Sequence, residues 1–416
     1  SHLALRARQL GAVFGCTPER ALYDGLLSSA TEGAAIQLTV EAAGQVRVDT
    51  ISETTLKAVA SAVPTDTKPK QMNGSAPKLG QLSLSEQSVV PVVEIAEVPQ
   101  IAGSKAASSG KLEGMATKAG FKVPPGLAVP FGVMAHAVSG AAVQSAVDAL
   151  QKALDKDPLS IAPCAQAVRH AVEECRVPEM VLKSLVTGLP KGTARVAVRS
   201  SANSEDLEGV SGAGLHDSVL GVDPNNTDDL ERAVLRVWGS MFTLRAVQSR
   251  HAAGMPLFSG IAMGILVQPM VSLTGHAYAF IAFSKHVVEE DAGSVYLEVC
   301  VGLGETLASA DQPGTPYRLV VQKASPHKVK ILSLASFSFG LEDVAGGPVP
   351  MRIDYSREHL SSDQAFLEQL ARELASVAST VEGCYGTPMD MEGVVLEKST
   401  GREIHLVQAR PIVEHF

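Results

Sequence analysis

The sequence predicts an α/β (α+β) fold, and three observations carry that expectation. From Val89 onward, short apolar runs alternate with segments whose apolar residues recur at helical spacing. Ahead of them, Ile36-Gln-Leu-Thr-Val and Gln45-Val-Arg-Val alternate with period two, as half-buried strands do. No internal repeat is evident in the 416 residues, a length that suits two or three domains.

The elements follow in order. Leu3 to Leu10 suits a short helix and Ala12-Val-Phe-Gly a strand, so residues 1–60 read as part of a small domain, too short to build its own core. Residues 61–88 are rich in Pro, Lys, Ser and Gly and lack aromatics, the composition of a flexible linker. Residues 89–416 form the main domain. Val89 to Ile95 reads as a strand, Ala141–Leu154 and Ser160–Cys175 as helices, and Arg195-Val-Ala-Val as a short buried strand. Thr227 can cap a helix whose first turn holds Asp228 and Asp229, acids that the helix dipole favours. Leu230, Val234, Val237 and Met241 line one face of it, and Trp238 belongs with the core. Ile261 to Gln268 and Ser294 to Val299 read as strands. Ser361 with Gln364 forms a capping box, opening a helix with Phe366, Leu370, Leu374, Val377 and Val381 on its apolar face. Glu403 to Gln408 is a last strand.

Composition excludes several classes. Thirty-five basic against 44 acidic residues leave a net charge of −9, which disfavours a nucleic-acid binder steered by a basic surface. No apolar run reaches the roughly 18 residues of a membrane helix, so no membrane partner is expected. Cys16, Cys164, Cys175, Cys300 and Cys384 are odd in number and widely spaced, which points to a reducing compartment rather than a disulfide framework or a Cys-based zinc site. The chain opens on Ser-His-Leu-Ala without a signal or transit pattern and reads as a segment of a longer polypeptide.

The most informative stretch is VAVRSSANSEDLEGVSGAGL, beginning at Val196. A short strand delivers Arg199 and Ser200 to its end, and a polar stretch runs into the loop Ser211-Gly212-Ala213-Gly214. Two glycines let backbone N–H groups approach a phosphate, and an always-charged guanidinium matches phosphate oxygens bidentately. A strand, a turn and a glycine hairpin serving structure alone would read the same way on spacing. Glu392 and Gln408 are spaced as partners on two adjacent strands joined by the turn Lys398–Gly401, with both side chains on one face.

With Gly103-Ser-Lys-Ala, Val123-Pro-Pro-Gly, Leu266-Val-Gln-Pro-Met-Val, Gly302-Leu-Gly-Glu-Thr-Leu, Asp390-Met-Glu-Gly and Val407-Gln-Ala-Arg-Pro, this stretch resembles the nucleotide-binding domain shared by pyruvate phosphate dikinase, phosphoenolpyruvate synthase and the glucan, water dikinases. The resemblance covers roughly residues 95–413 and implies an ATP-grasp-type fold that holds ATP between two lobes. It further implies that Lys105 and Arg199 bind phosphate and that Ser211–Gly214 closes over it. Gln268 and Met270 would lie at the adenine hinge, Glu305 would face the ribose, Glu392 and Gln408 would bind Mg²⁺, and Arg410 would meet the transferred phosphoryl group. Ser1-His2-Leu-Ala-Leu-Arg6-Ala-Arg8 resembles the phosphohistidine motif of the same families, with His2 as nucleophile. At a helix N-terminus a phosphoryl group on that ring would meet free N–H groups.

The histidine motif precedes the nucleotide domain and no pyruvate-binding barrel follows, an order that resembles the glucan and phosphoglucan, water dikinases. The expectation is then a dikinase acting on ATP, water and an α-glucan (starch) through phosphohistidine, giving AMP, phosphate and phosphoglucan, in a plastid or else the cytoplasm. The alternatives are a phosphoenolpyruvate synthase or pyruvate phosphate dikinase-like phosphotransferase, or an ATP-binding segment without activity of its own.

Overall fold

The computed structural model describes residues 35–40, 46–51, 79, 82–156, 160–205, 215–271, 277–308, 313–324, 327–344, 347–399 and 401–412. By contact the chain divides into two units, Ser1–Ser75 and Ala76–Phe416. In the first, the two period-two segments form an antiparallel hairpin of β1 (Ala35–Val40) and β2 (Val46–Ile51), with Val40 opposite Val46. The helix and strand expected over residues 3–15, and His2 with them, lie outside the described residues.

The second unit holds two antiparallel sheets, each with its own core. The first runs in the order β3-β4-β7-β5-β6, from β3 (Val90–Pro91), β4 (Leu127–Val129), β5 (Val196–Ala202), β6 (Ser218–Val222) and β7 (Met263–Pro269). The second includes β8 (Ala277–Phe283), β9 (Ser294–Val301), β10 (Tyr317–Gln322) and β11 (Val329–Ser333). A separate hairpin of β12 (Phe339–Val344) and β13 (Gly347–Arg352) follows. Then β14 (Met389–Lys398) and β15 (Gly401–Pro411) rejoin the second sheet, whose order is β11-β10-β9-β8-β14-β15. Every residue of β8 and β9 is buried, which is why β8 reads as an unbroken apolar run and β9 is interrupted only by Ser294 and Glu298. The mixed α/β class is as the sequence predicts.

The amphipathic helices seat as their periodicity demands. Helix Thr227–Gly239 buries Leu230, Val234 and Val237, with Met241 just beyond it, under the first sheet. Trp238 is fully buried and its indole N–H donates to the Met263 carbonyl at 3.1 Å. Helix Gln364–Tyr385 lays Leu370, Leu374, Val377 and Val381 against the second sheet, with Phe366 half-buried at its start.

Three local expectations are corrected. Asn226, not Thr227, caps the first helix, its side chain accepting from the Asp229 N–H at 3.2 Å. Asp363, not Ser361, caps the second, accepting from the Phe366 N–H at 3.0 Å; Ser361 already belongs to the short helix His359–Ser362 and cannot adopt the extended cap conformation that Asp363 takes. The strand expected over Val89–Ile95 is two residues long. Pro91 lacks a donor for the ladder, and Val92–Ile95 instead form a 3-10 turn that buries Val92 and Ile95 beside Ala102, Ala106 and Leu266. In residues 82–88, the described end of the stretch read as a linker, the Ser83 N–H donates to the Gln100 carbonyl at 2.8 Å, and Glu86 packs against Gly132.

A polar knot sits inside the first lobe. Arg250 is buried and donates to the Met241 carbonyl at 2.6 Å. His216 is walled in beside it, and burial first, then the charges of Arg250 and Lys105, hold its pKa at about 3. No described helix is long and apolar enough to cross a membrane.

Two predictions follow from this packing. Gly103 has φ +92°, and a Cβ there would fall 2.3 Å from the Ser201 carbonyl oxygen. Gly103→Ala is expected to cost at least about 2 kcal/mol, read as the shift in a denaturant midpoint; an unchanged midpoint would contradict the close approach. His216 is depressed in the folded state, so it binds its proton more readily when unfolded. Its contribution to stability is therefore full above about pH 6.5 and is lost as pH falls toward 3. His216→Gln should flatten that part of the stability–pH curve, and an identical slope in the variant would show that other groups carry it.

Candidate nucleotide site

The site is built where the ends of both sheets meet. In β5 every residue is buried except Arg199, which is half-buried; its Nη1 donates to the Val407 carbonyl at 3.4 Å, reaching from the first sheet to the second. Helix Ser104–Ala119 begins hard against β5 because Gly103 has no side chain to hold it off. Ser201 then serves as a cap from outside the helix, its Oγ accepting from the Ala106 N–H at 3.0 Å. This fixes Lys105 in the first turn, where its ammonium donates to Ser200 Oγ at 3.2 Å and pairs with Glu205 at 3.1 Å.

One turn along, Ser108 Oγ donates to the Ala409 carbonyl at 2.5 Å and lies 3.0 Å from the Tyr385 hydroxyl, so the same helix grips the second lobe. Ser109 Oγ accepts from the Gln268 amide at 3.0 Å. Gln268 also donates to the Pro124 carbonyl at 3.1 Å and is almost wholly buried. Met270 follows at the crossing between lobes, its N–H donating to the Arg195 carbonyl at 3.0 Å and its sulfur accepting from the Gly221 N–H at 2.9 Å.

Between the lobes lies a cleft whose walls include Arg199, Gln268, Met270, Glu305 and Glu392, with the apolar Leu220, Val271, Ile281, Leu303 and Leu307. Five residues read from separated parts of the sequence thus share one cavity. Glu305 opens the short helix Glu305–Ala308, placed by a turn at Gly302 (φ +85°), where a Cβ would lie 2.4 Å from the Leu341 carbonyl oxygen. Lys105, Gln408 and Arg410 stand outside the cleft's lining. Ser211–Gly214 lie outside the described residues.

The β14–β15 ladder pairs Glu392 with Gln408 and Asp390 with Arg410. Direct partners and residues two apart share a face, so these four polar side chains form two adjacent rows. A bulge follows Glu392, and the absent side chain of Gly393 admits the Phe280 ring. Arg410 donates through Nε and Nη2 to one oxygen of Asp390, at 2.9 and 2.7 Å, with both side chains largely buried. Asp390 is the residue that the sequence reading missed. Its signal was the Asp-Met-Glu alternation, which puts two carboxylates on one face. The Glu392 carboxylate and the Gln408 amide oxygen are hard donors of the kind Mg²⁺ takes, and the described residues hold no cluster of three or more His, Cys, Asp or Glu side chains. The set therefore suits Mg²⁺ only with oxygens from water and a bound polyphosphate.

The chain is similar to several known proteins. A probable phosphoenolpyruvate synthase of Methanocaldococcus jannaschii is 26% identical over 320 residues, covering 75% of this chain and 25% of its own length. A rifampicin phosphotransferase from a Streptomyces species is 30% identical over 325 residues, covering 76% and 34%. Alpha-glucan water dikinase 2 of Arabidopsis thaliana is 29% identical over 208 residues, covering 44% and 16%. This chain thus spans about a third or less of these three relatives. Residues 99–415, most of the chain, match one family, and with that match the protein belongs to the pyruvate phosphate dikinase AMP/ATP-binding domain family.

Proposed function

We propose that this chain carries the ATP half-reaction of a phosphotransferase of the phosphoenolpyruvate synthase and pyruvate phosphate dikinase type, with a histidine as relay. One arrangement supports the reading above the others: a single cleft between two sheets holds Arg199, Glu305 and Glu392, with Gln408 opposite Glu392 in the ladder. In this proposal the base lies along Gln268–Met270, Glu305 faces the ribose, and Arg199 and Lys105 take the phosphates. Glu392 and Gln408 hold Mg²⁺, which offsets phosphate charge when bound. Asp390 holds the Arg410 guanidinium in one orientation, ready for the moving phosphoryl group.

An imidazole nitrogen attacks the β-phosphorus, the bond from that phosphorus to the α,β-bridging oxygen breaks, and AMP leaves with the oxygen. Water then takes the terminal phosphoryl group as phosphate, and one phosphoryl group stays on the ring. A covalent relay divides one hard transfer into two. His2 is the residue put forward, on the strength of its Ser-His-Leu-Ala-Leu-Arg setting. Pyruvate is the acceptor favoured by the phosphoenolpyruvate synthases among the relatives. An α-glucan is the second reading, favoured by the histidine motif standing ahead of the nucleotide domain and by the partial match to the glucan water dikinase.

Incubation with ATP labelled separately at the β and γ positions should leave β label on the protein and release γ label as phosphate, and His2→Ala should abolish retention. Retained γ label would sink the proposed order of transfer. Chasing the labelled protein with pyruvate or with soluble α-glucan then identifies the acceptor by which one takes up the label. Glu392→Gln should slow AMP release about a hundredfold while leaving AMP binding within about twofold of the parent. Equal loss of both in calorimetry and turnover would mean that Glu392 serves the fold instead.

A further inference from the structure

We infer that Glu205 is a positioning residue: its buried carboxylate, with Ser200 as second anchor, holds the Lys105 ammonium in place and so sets affinity for the polyphosphate. The inference rests on the proposed reading of Lys105 as a phosphate contact. Glu205 sits just past the end of β5, its N–H donating to the Ala202 carbonyl at 3.3 Å. Its side chain is 2% exposed, a burial that a carboxylate tolerates only when paired. One oxygen lies 3.1 Å from Lys105 Nζ; the other lies 3.9 Å from Nε2 of His216.

Three features make this a holding device. An ammonium has three donors; one is spent on Ser200 Oγ, and the charge as a whole is held by the Glu205 carboxylate as an ion pair. The Lys105 side chain keeps 17% of its surface exposed, so the ammonium can also reach a ligand. The pocket is also crowded with positive charge: Arg250, Lys105 and Arg245 all act on the ring of His216. A carboxylate among them offsets that repulsion, so the lysine stays beside β5, whose Arg199 lines the cleft. Because His216 is neutral across the physiological range, it does not compete with Lys105 as a cation for Glu205. A lysine fixed at two points has also given up its rotamer freedom before the ligand arrives, which lowers the cost of binding.

The test is calorimetric titration of the 416-residue chain with ATP and with AMP, both with Mg²⁺, for the parent, Lys105→Ala, Glu205→Gln and Ser200→Ala. Glu205→Gln is expected to weaken ATP about tenfold and to leave AMP within about twofold, the loss of one charge-assisted contact acting on phosphate alone. Ser200→Ala should shift ATP about threefold in the same direction; it carries the test if Glu205→Gln does not fold. Lys105→Ala should lower the preference for ATP over AMP. If it does not, the reading of Lys105 fails and this inference with it. If it does, while Glu205→Gln leaves both nucleotides unchanged, weakens both equally or tightens ATP, the inference alone is overturned. Ser200→Ala without effect overturns it where Glu205→Gln is unfolded.

Discussion

Everything at the cleft depends on the register between β14 and β15. The ladder sets Asp390 opposite Arg410 and Glu392 opposite Gln408, so four polar side chains fall on one face in two rows. A slip of one residue would turn all four to the other face and bring Met391 and Ala409, both buried in the second core, in their place. The register is secured from both flanks. On one side β8 pairs with β14 along its length, with Ile281 opposite Glu392. On the other, Lys122 exchanges backbone hydrogen bonds with Ile404 and Leu406 of β15, at 2.8 and 2.9 Å. Burial of alternate residues on the opposite face supplies the energy that makes a slip costly.

The pairing of β14 with β15 was legible before the structure because it is local, through the turn at Lys398–Gly401 between two alternating segments. Counting back from that turn sets Val407 opposite Glu392; the one-residue bulge beside Glu392, which the residue pattern did not show, brings Gln408 there instead. The faces of helices Thr227–Gly239 and Gln364–Tyr385 were legible too, since their buried residues follow their spacing. The helix starts were legible only to within a residue or two. Asn226 and Thr227, like Ser361 and Asp363, are all good caps, and the choice falls to whichever has the extended backbone, which the chain before it decides. What could not be read was contact between distant segments. Nothing in the order of residues says that Lys105 meets Glu205 or that Ser108 reaches Ala409. Nor could the Pro91 break be seen by a pattern that counts only apolar residues; it needed the missing donor to be counted as well.

The family match and the geometry concern the same part of the molecule. Both concern the nucleotide: the match spans residues 99–415, and the cleft falls within that span. Under the proposed relay, the acceptor would be a property of whatever the phosphoryl group meets next. The named relatives carry names that point to different acceptors, while each resembles 44% or more of this chain. The nucleotide domain's chemistry would then end at the imidazole, so its own residues would have no reason to record the final acceptor.

Helix Ser104–Ala119 is in contact with both lobes. Its first turn is capped by Ser201 and its lysine is tied to Ser200, both in β5. Ser108 and Lys111 reach the second lobe, the latter 4.4 Å over the Tyr385 ring. Ser109 touches Gln268 at the crossing, and Gly110 lies so close to Val92 that a Cβ would stand 2.0 Å from its carbonyl oxygen. A helix pressed on several sides needs small residues rather than one apolar stripe, and Ala106-Ala-Ser-Ser-Gly110 supplies them. The consequence is mechanical. Any shift of the helix that repositions Lys105 also strains the contacts to Gln268 and Ala409, so the positions of Lys105 and Gln268 are coupled through one close-packed element.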